Sequence, residues 1–207
     1  MTVRAAGEHA LLVETGSLEA AHRLDALLRA DLPPGVEDVV PGSRTVLVVA
    51  PAADRPRLEA LLASLLRTAL APAGADGPGR LVEIPVVYDG EDLAEVAALS
   101  GLPAEEVAAR HAASEFTVGW LGFAPGFAYL IGLDPALHVP RLAVPRTSVP
   151  PGSVAIAGSY SAVYPSASPG GWRLLGRTDV RVWDAAAEPP AMLPPGTRVR
   201  FRPGAAR

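Results

Sequence analysis

From Ser114 onward, proline or glycine interrupts the chain every few residues, and that rhythm constrains the fold more than any other feature. The runs between interruptions, such as "EFTVGWLGF", "GSVAIAG", "WRLLGR", "DVRVWD" and "TRVRFRP", are short and strand-like. Short strands between Pro/Gly turns describe a β-barrel or sandwich, and closing such a sheet removes its exposed edges.

The first half follows a different pattern. "ALLVET" (10–15) reads as a buried strand, and Ser17 then caps a helix in which Leu18, Ala21, Leu24, Leu27 and Leu28 recur at helical spacing. After the break at "LPPG", "VEDVV", "PGS" and "RTVLVVA" predict a strand, a turn and a second strand. Asp54 caps a further helix with Leu58, Leu61, Leu62, Leu65 and Leu66 on one stripe. "APAGADGPGR" then forms a linker or loop before a strand at 81–89. The order β-α-β-β-α-β is that of a ferredoxin-like split βαβ domain. The fold class expected is therefore α+β, with an α/β domain over residues 1–85 and a β-barrel domain over 86–207. Two short helices, "EDLAEVAALSG" and "PAEEVAARHAAS", precede the barrel strands, the second with Pro103 at a favoured first-turn position.

Composition removes several chemistries. The net charge of -4 offers no basic stripe for nucleic acid. All 18 basic residues are arginine, so lysine Schiff bases and biotinyl-lysine are excluded. For the same reason a single Arg is weaker evidence of function than usual, because arginine also supplies the ordinary surface cations. Without cysteine there are no disulfides, thiolate metal sites or Cys nucleophiles. No signal-peptide core and no run of roughly 20 apolar residues is present, which predicts a cytoplasmic protein without a membrane span. The four histidines, His9, His22, His111 and His138, lack metal-ligand spacing, and no metal site is expected. His22 and His111 read as helix-surface residues, and Asp89, Glu91 and Asp92 as carboxylates at a helix start. "GSYSA" (158–162) lacks the spacing of a nucleophile elbow, and "GADGPG" lacks the lysine and helix start of a phosphate loop.

What remains is a dense segment from Gly119 to Thr178. "GFAPGFAYLIGLDP" holds Phe123, Phe127 and Tyr129 between turns, and "HVPRLAVPRTSVPPG" spaces out His138, Arg141 and Arg146. "YPSASPGGWRLLGRT" adds Tyr164, Ser168, the Gly170-Gly171 pair, Trp172 and Arg177. Together these resemble the lining of a polar-rimmed concave site. The arginine fork suits a carboxylate or carboxyphosphate, and the glycine pair suits a tight loop whose amides form an anion nest.

These three stretches, with "SVAIAG" between the second and third, resemble the KipI/PxpB family, also called allophanate hydrolase subunit 1. The resemblance implies a small α/β domain followed by a cyclophilin-like β-barrel. It further implies the B subunit of an ATP-dependent 5-oxoprolinase, converting 5-oxo-L-proline to L-glutamate with two partners. Those partners are a PxpC/KipA-like protein and a PxpA/LamB-YcsF-like protein, with ATP used by the complex and neither metal nor biotin held by this chain. Alternative roles in the family are inhibition of a sensor histidine kinase and a carboxyltransferase half acting on urea or allophanate-like amides. On this reading His138, Arg146 and Arg177 are the expected catalytic residues. Arg141, Tyr160, Tyr164, Ser168, Gly170, Gly171 and Trp172 are the expected substrate-binding residues. Two departures concern the substrate: Tyr160 stands where the family pattern has Gln, and Ala128 and Ile131 replace Pro and Gly.

Overall fold

The computed structural model describes residues 2–71 and 79–204, so most of the "APAGADGPGR" linker and the "GADGPG" stretch lies outside the described residues. The chain forms two compact units, Met1–Gly77 and Pro78–Arg207.

The first unit runs β1 (Val3–Ala5), β2 (Ala10–Glu14), α1 (Leu18–Ala30), β3 (Asp38–Pro41), β4 (Thr45–Val49) and α2 (Arg55–Leu70). Its antiparallel sheet has the order β1-β2-β4-β3. Alternate residues of the strands, Leu11, Val13, Val39, Val46 and Val48, turn inward. They pack with Ala21, Leu24 and Leu28 of α1 and Leu58, Leu62 and Leu66 of α2. Both expected caps are made: Ser17 Oγ accepts from the Ala20 amide at 3.2 Å, and Asp54 Oδ1 from Arg57 at 3.1 Å. The strand expected to complete this sheet, at 81–89, is absent from it. β1, too short to be legible as a strand, holds the edge beside β2 instead.

The second unit contains β5 (Leu81–Val86), α3 (Leu93–Ser100), α4 (Ala104–Ala113), β6 (Phe116–Leu121) and β7 (Ala128–Ile131). These are followed by β8 (Arg146–Val149), β9 (Ser153–Ala157), β10 (Tyr160–Val163), β11 (Ser168–Gly170), β12 (Arg173–Arg177) and β13 (Arg198–Pro203). Seven strands form one sheet in the order β12-β9-β10-β7-β6-β13-β5, and β8 and β11 make a separate ribbon. A bridge between Val87 and Arg177, with both N···O distances 2.9 Å, brings the two edges together and nearly closes a barrel. β5 lies parallel to β13, from Leu81 opposite Arg198 to Val86 opposite Pro203. The division expected after residue 85 therefore falls before β5. Inward-facing Val82, Ile84 and Val86 mark a strand, but they do not say which sheet it joins.

The barrel core gathers Val82, Ile84, Phe116, Leu130, Ile156, Leu175 and Phe201, capped by Val96 of α3 and Val107 of α4. His111 belongs here too, and the helix-surface reading of it is corrected: it is fully buried. Its ring stacks on Phe201 at 4.6 Å, with Nδ1 2.8 Å from Tyr88 Oη and Nε2 2.8 Å from Ser161 Oγ. Ser161 donates its own proton to the Ala155 carbonyl at 3.2 Å, so it accepts from Nε2–H, and Nδ1 accepts from Tyr88. Burial pushes the His111 pKa down to about 3, leaving the ring neutral within a fully satisfied relay.

Candidate functional site

The β6–β7 connection is a tight loop. Gly122 donates to the Phe127 carbonyl at 3.1 Å, Ala124 to Gly122 at 2.9 Å and Phe127 to Ala124 at 3.0 Å. These bonds hold Phe123 at a φ of 71°, the one left-handed non-glycine among the described residues. Although large and apolar, Phe123 is 62% exposed. Its ring meets Phe127 edge-on at 5.2 Å, and Phe127 in turn meets Tyr129, Tyr164 and Trp172 at 5.3, 5.3 and 5.4 Å.

A cavity of about 70 Å³ opens among these rings, completed by Arg141, Gly170 and Gly171. The Arg141 guanidinium lies over the Trp172 ring, 5.8 Å from its centroid, and among the described residues no carboxylate pairs with it. The Trp172 backbone hydrogen-bonds to the Tyr164 hydroxyl. Burial raises the Tyr164 pKa, against the opposing pull of that bond and of Arg141 and Arg146, and the phenol stays protonated.

The two glycines have different reasons to be there. A Cβ at Gly170 would lie closer than 3.0 Å to the Tyr164 hydroxyl, whereas one at Gly171 would meet Pro145 at an ordinary 3.6 Å. Gly170 thus admits the tyrosine, and Gly171 leaves the cavity open. Neither has a left-handed φ, and Gly170 pairs with Arg146 in the β8–β11 ribbon. The expected tight loop with an anion nest is therefore an extended segment, and its backbone has no concave turn to build a nest from.

The cavity brings together Arg141, Tyr164, Gly170, Gly171 and Trp172 from the expected set, and the other five lie elsewhere. Arg146 Nη2 sits 2.7 Å from Asp92 Oδ1 and 3.3 Å from Glu91, and the bond to Asp92 chiefly raises its pKa. Asp92, 5% exposed, also accepts the Leu174 amide at 2.7 Å through its second oxygen. Arg177, expected as a catalytic residue, pairs with Asp89 at 2.9 Å and borders a separate cavity of about 500 Å³ beside Val87 and Asp179. The acidic cluster read as helix-start carboxylates is thus the counter-charge for both arginines; Asp92 stands at the N-cap of α3 but makes no side-chain cap bond. His138 is exposed and donates from Nε2 to the Leu133 carbonyl at 3.2 Å. Tyr160 packs on Trp120 and Tyr129 at 5.4 and 5.8 Å, one ring removed from the cavity. Ser168 Oγ is buried without a partner.

Sequence reasoning missed Arg173, which is 6% exposed, donates to the Pro140 carbonyl at 3.2 Å and pairs with Glu95. It anchors the chain just ahead of Arg141. As one arginine among 18 it carried no signal.

The sequence matches the family described as "Carboxyltransferase domain, subdomain C and D" over residues 1–193. It is 42% identical over 173 residues to the B subunit of 5-oxoprolinase from Escherichia coli O157:H7, covering 82% of this chain and 79% of that protein. The solved structure of TTHA0988 matches with a TM-score of 0.84 at 39% identity, covering 100% of this chain but only 41% of that one, so this chain spans about two fifths of its length. The Kluyveromyces lactis urea carboxylase structure, at 21% identity and a TM-score of 0.78, covers 98% of this chain and 22% of its own, and shares the fold.

Proposed function

The chain belongs to the family of carboxyltransferase domains, subdomains C and D, and on that premise we propose that it is the B subunit of an ATP-dependent 5-oxoprolinase. The observation that carries this reading is 42% identity, across 82% of the chain, to a protein of that name. In the finer architecture, the first unit is a ferredoxin-like variant in which β1 replaces the last strand, and the second is a cyclophilin-like barrel.

The reaction opens the lactam of 5-oxo-L-proline to give L-glutamate. A lactam carbonyl is a poor electrophile at neutral pH, and activation by ATP would leave negative charge to be stabilised beside a positioned ring. The cavity supplies a stacked cation, a protonated phenol and aromatic walls, which serve to bind and orient a small acid. At about 70 Å³ it does not fit a nucleotide, and no lysine or phosphate loop stands beside it. ATP is used by the complex, with KipA-like and LamB/YcsF-like partners completing the site in the cytoplasm. Arg146 and Arg177, neutralised by carboxylates, act as positioning residues, and His138 faces solvent.

The test is reconstitution with candidate KipA-like and LamB/YcsF-like partners, following glutamate release and 5-oxoproline-dependent ATP hydrolysis while each component is omitted in turn. Activity that requires this chain is the expected result. Full activity without it would overturn the proposal.

A further inference from the structure

We propose that Arg141 is the anchor for the carboxylate of a small ring-bearing acid, whose ring lies against the Phe127, Tyr129 and Trp172 walls while Phe123 closes the mouth. The choice of 5-oxoproline as ligand rests on the reading above; the carboxylate subsite rests on the geometry alone.

Four observations lead there. Among the arginines around this segment, Arg146, Arg173 and Arg177 are each matched to a carboxylate, whereas Arg141 faces an aromatic ring. A guanidinium that lies over an indole face with no carboxylate beside it has N–H donors to offer a ligand, and those donors match the two oxygens of a carboxylate. Beside it, the Tyr164 hydroxyl takes a hydrogen bond from the Trp172 backbone, so its own proton remains to be donated. The space itself is built: Gly170 lets the hydroxyl approach, and Gly171 withholds a methyl that the surroundings would tolerate.

Phe123 is the fourth observation. A left-handed phenylalanine is costly, and such strain persists where the surrounding bonds impose it, commonly at ligand clamps. Here it sets an exposed ring at the edge of the cavity, where a glycine would sit without strain. A cavity of about 70 Å³ accommodates the carboxylate and the adjoining ring edge. The lactam carbonyl of 5-oxoproline would then project past Phe123, outward, to where a partner protein can act on it.

The pocket is formed by this chain alone, so the full chain suffices for the test. Tryptophan fluorescence and ligand-observed NMR would follow 5-oxo-L-proline, cyclopentanecarboxylate and 2-pyrrolidinone, which separate the carboxylate from the lactam. Both acids should bind, with pyrrolidinone at least about tenfold weaker. Arg141→Gln should abolish that difference, and Gly171→Ala should weaken all three ligands without changing the melting temperature. Equal binding of all three probes, unaltered acid binding in Arg141→Gln, or no binding of either acid would overturn the proposal. Acid binding lost in Arg141→Gln, together with a reconstituted complex that is inactive even with the wild-type chain, would leave the subsite standing and sink the oxoprolinase reading. An active complex with an unchanged KM for 5-oxoproline in Arg141→Gln would do the reverse.

Discussion

The second unit keeps its arginines in two contrasting settings. At the start of α3 and the barrel closure, Asp89, Glu91 and Asp92 meet Arg146 and Arg177, and Asp92 also takes a backbone amide of β12. In the aromatic cavity, Arg141 has a ring for a neighbour and no carboxylate among the described residues. The first setting spends its charges internally and holds elements together. The second leaves a cation free for something else. Side chains of identical type, five positions apart in the case of Arg141 and Arg146, are separated in role by what the fold sets opposite them.

The contrast breaks most sharply at Asp92. Replacing it with Ala strands a partly buried guanidinium and the Leu174 amide, and should cost about 3–5 kcal/mol in urea unfolding. Arg141→Ala should cost under about 1 kcal/mol, as exposed surface changes do. Equal losses at the two positions would erase the distinction.

A second division, between the relay beneath α4 and the cavity, is open to pH. The folded-state pKa of His111 lies below its ordinary value of 6.5, so the unfolded chain takes up the proton first. Its contribution is fully present above pH 6.5 and is lost as pH falls toward about 3. The slope reaches about 1.4 kcal/mol per pH unit, or roughly 2 kcal/mol between pH 6.5 and 5. Unfolding curves of His111→Asn should lack that one-proton slope, while those of Tyr164→Phe in the cavity should retain it.

Within the cavity, the paired glycines should separate. Gly170→Ala forces Tyr164 to shift and should cost about 1–2 kcal/mol, against less than about 0.5 for Gly171→Ala. Thermal melts that fail to distinguish them would contradict the close approach seen at Gly170. A further effect has the opposite sign. Phe123→Gly relieves a left-handed backbone and should stabilise the fold by about 0.5–1 kcal/mol, measured by chemical denaturation. A loss of stability there would mean that the ring is held by packing rather than imposed by the loop.

Much of this arrangement was written locally. Both first-unit caps and the helical stripes emerged as expected apart from Leu61, which is exposed, because spacing and capping chemistry reach only a few residues. The aromatic loop and the Trp172 wall were legible for the same reason. Pairing was not: Arg146 lies 54 residues from Asp92 and Arg177 lies 88 from Asp89, so two clusters read separately turned out to be one. β5 was recognised as a strand and given to the wrong sheet, since an alternating pattern names a buried face and not a neighbour. For His111 a signal did exist. It follows Val107 by four residues, on the face of α4 that turns inward.

The parallel pairing of β5 with β13 has a consequence for how the protein is made. Arg198 must come to rest beside Leu81, 198 − 81 = 117 positions earlier in the chain. During synthesis β5 therefore emerges long before the strand that will cover its edge, with Leu81 and its neighbours waiting unpaired. The sheet is completed only once residue 203 is free to fold back. Such long-range closure is slow, and the open edge is exposed to other chains in the interval. The same strand pair that completes the barrel is, for the nascent chain, its longest period of vulnerability.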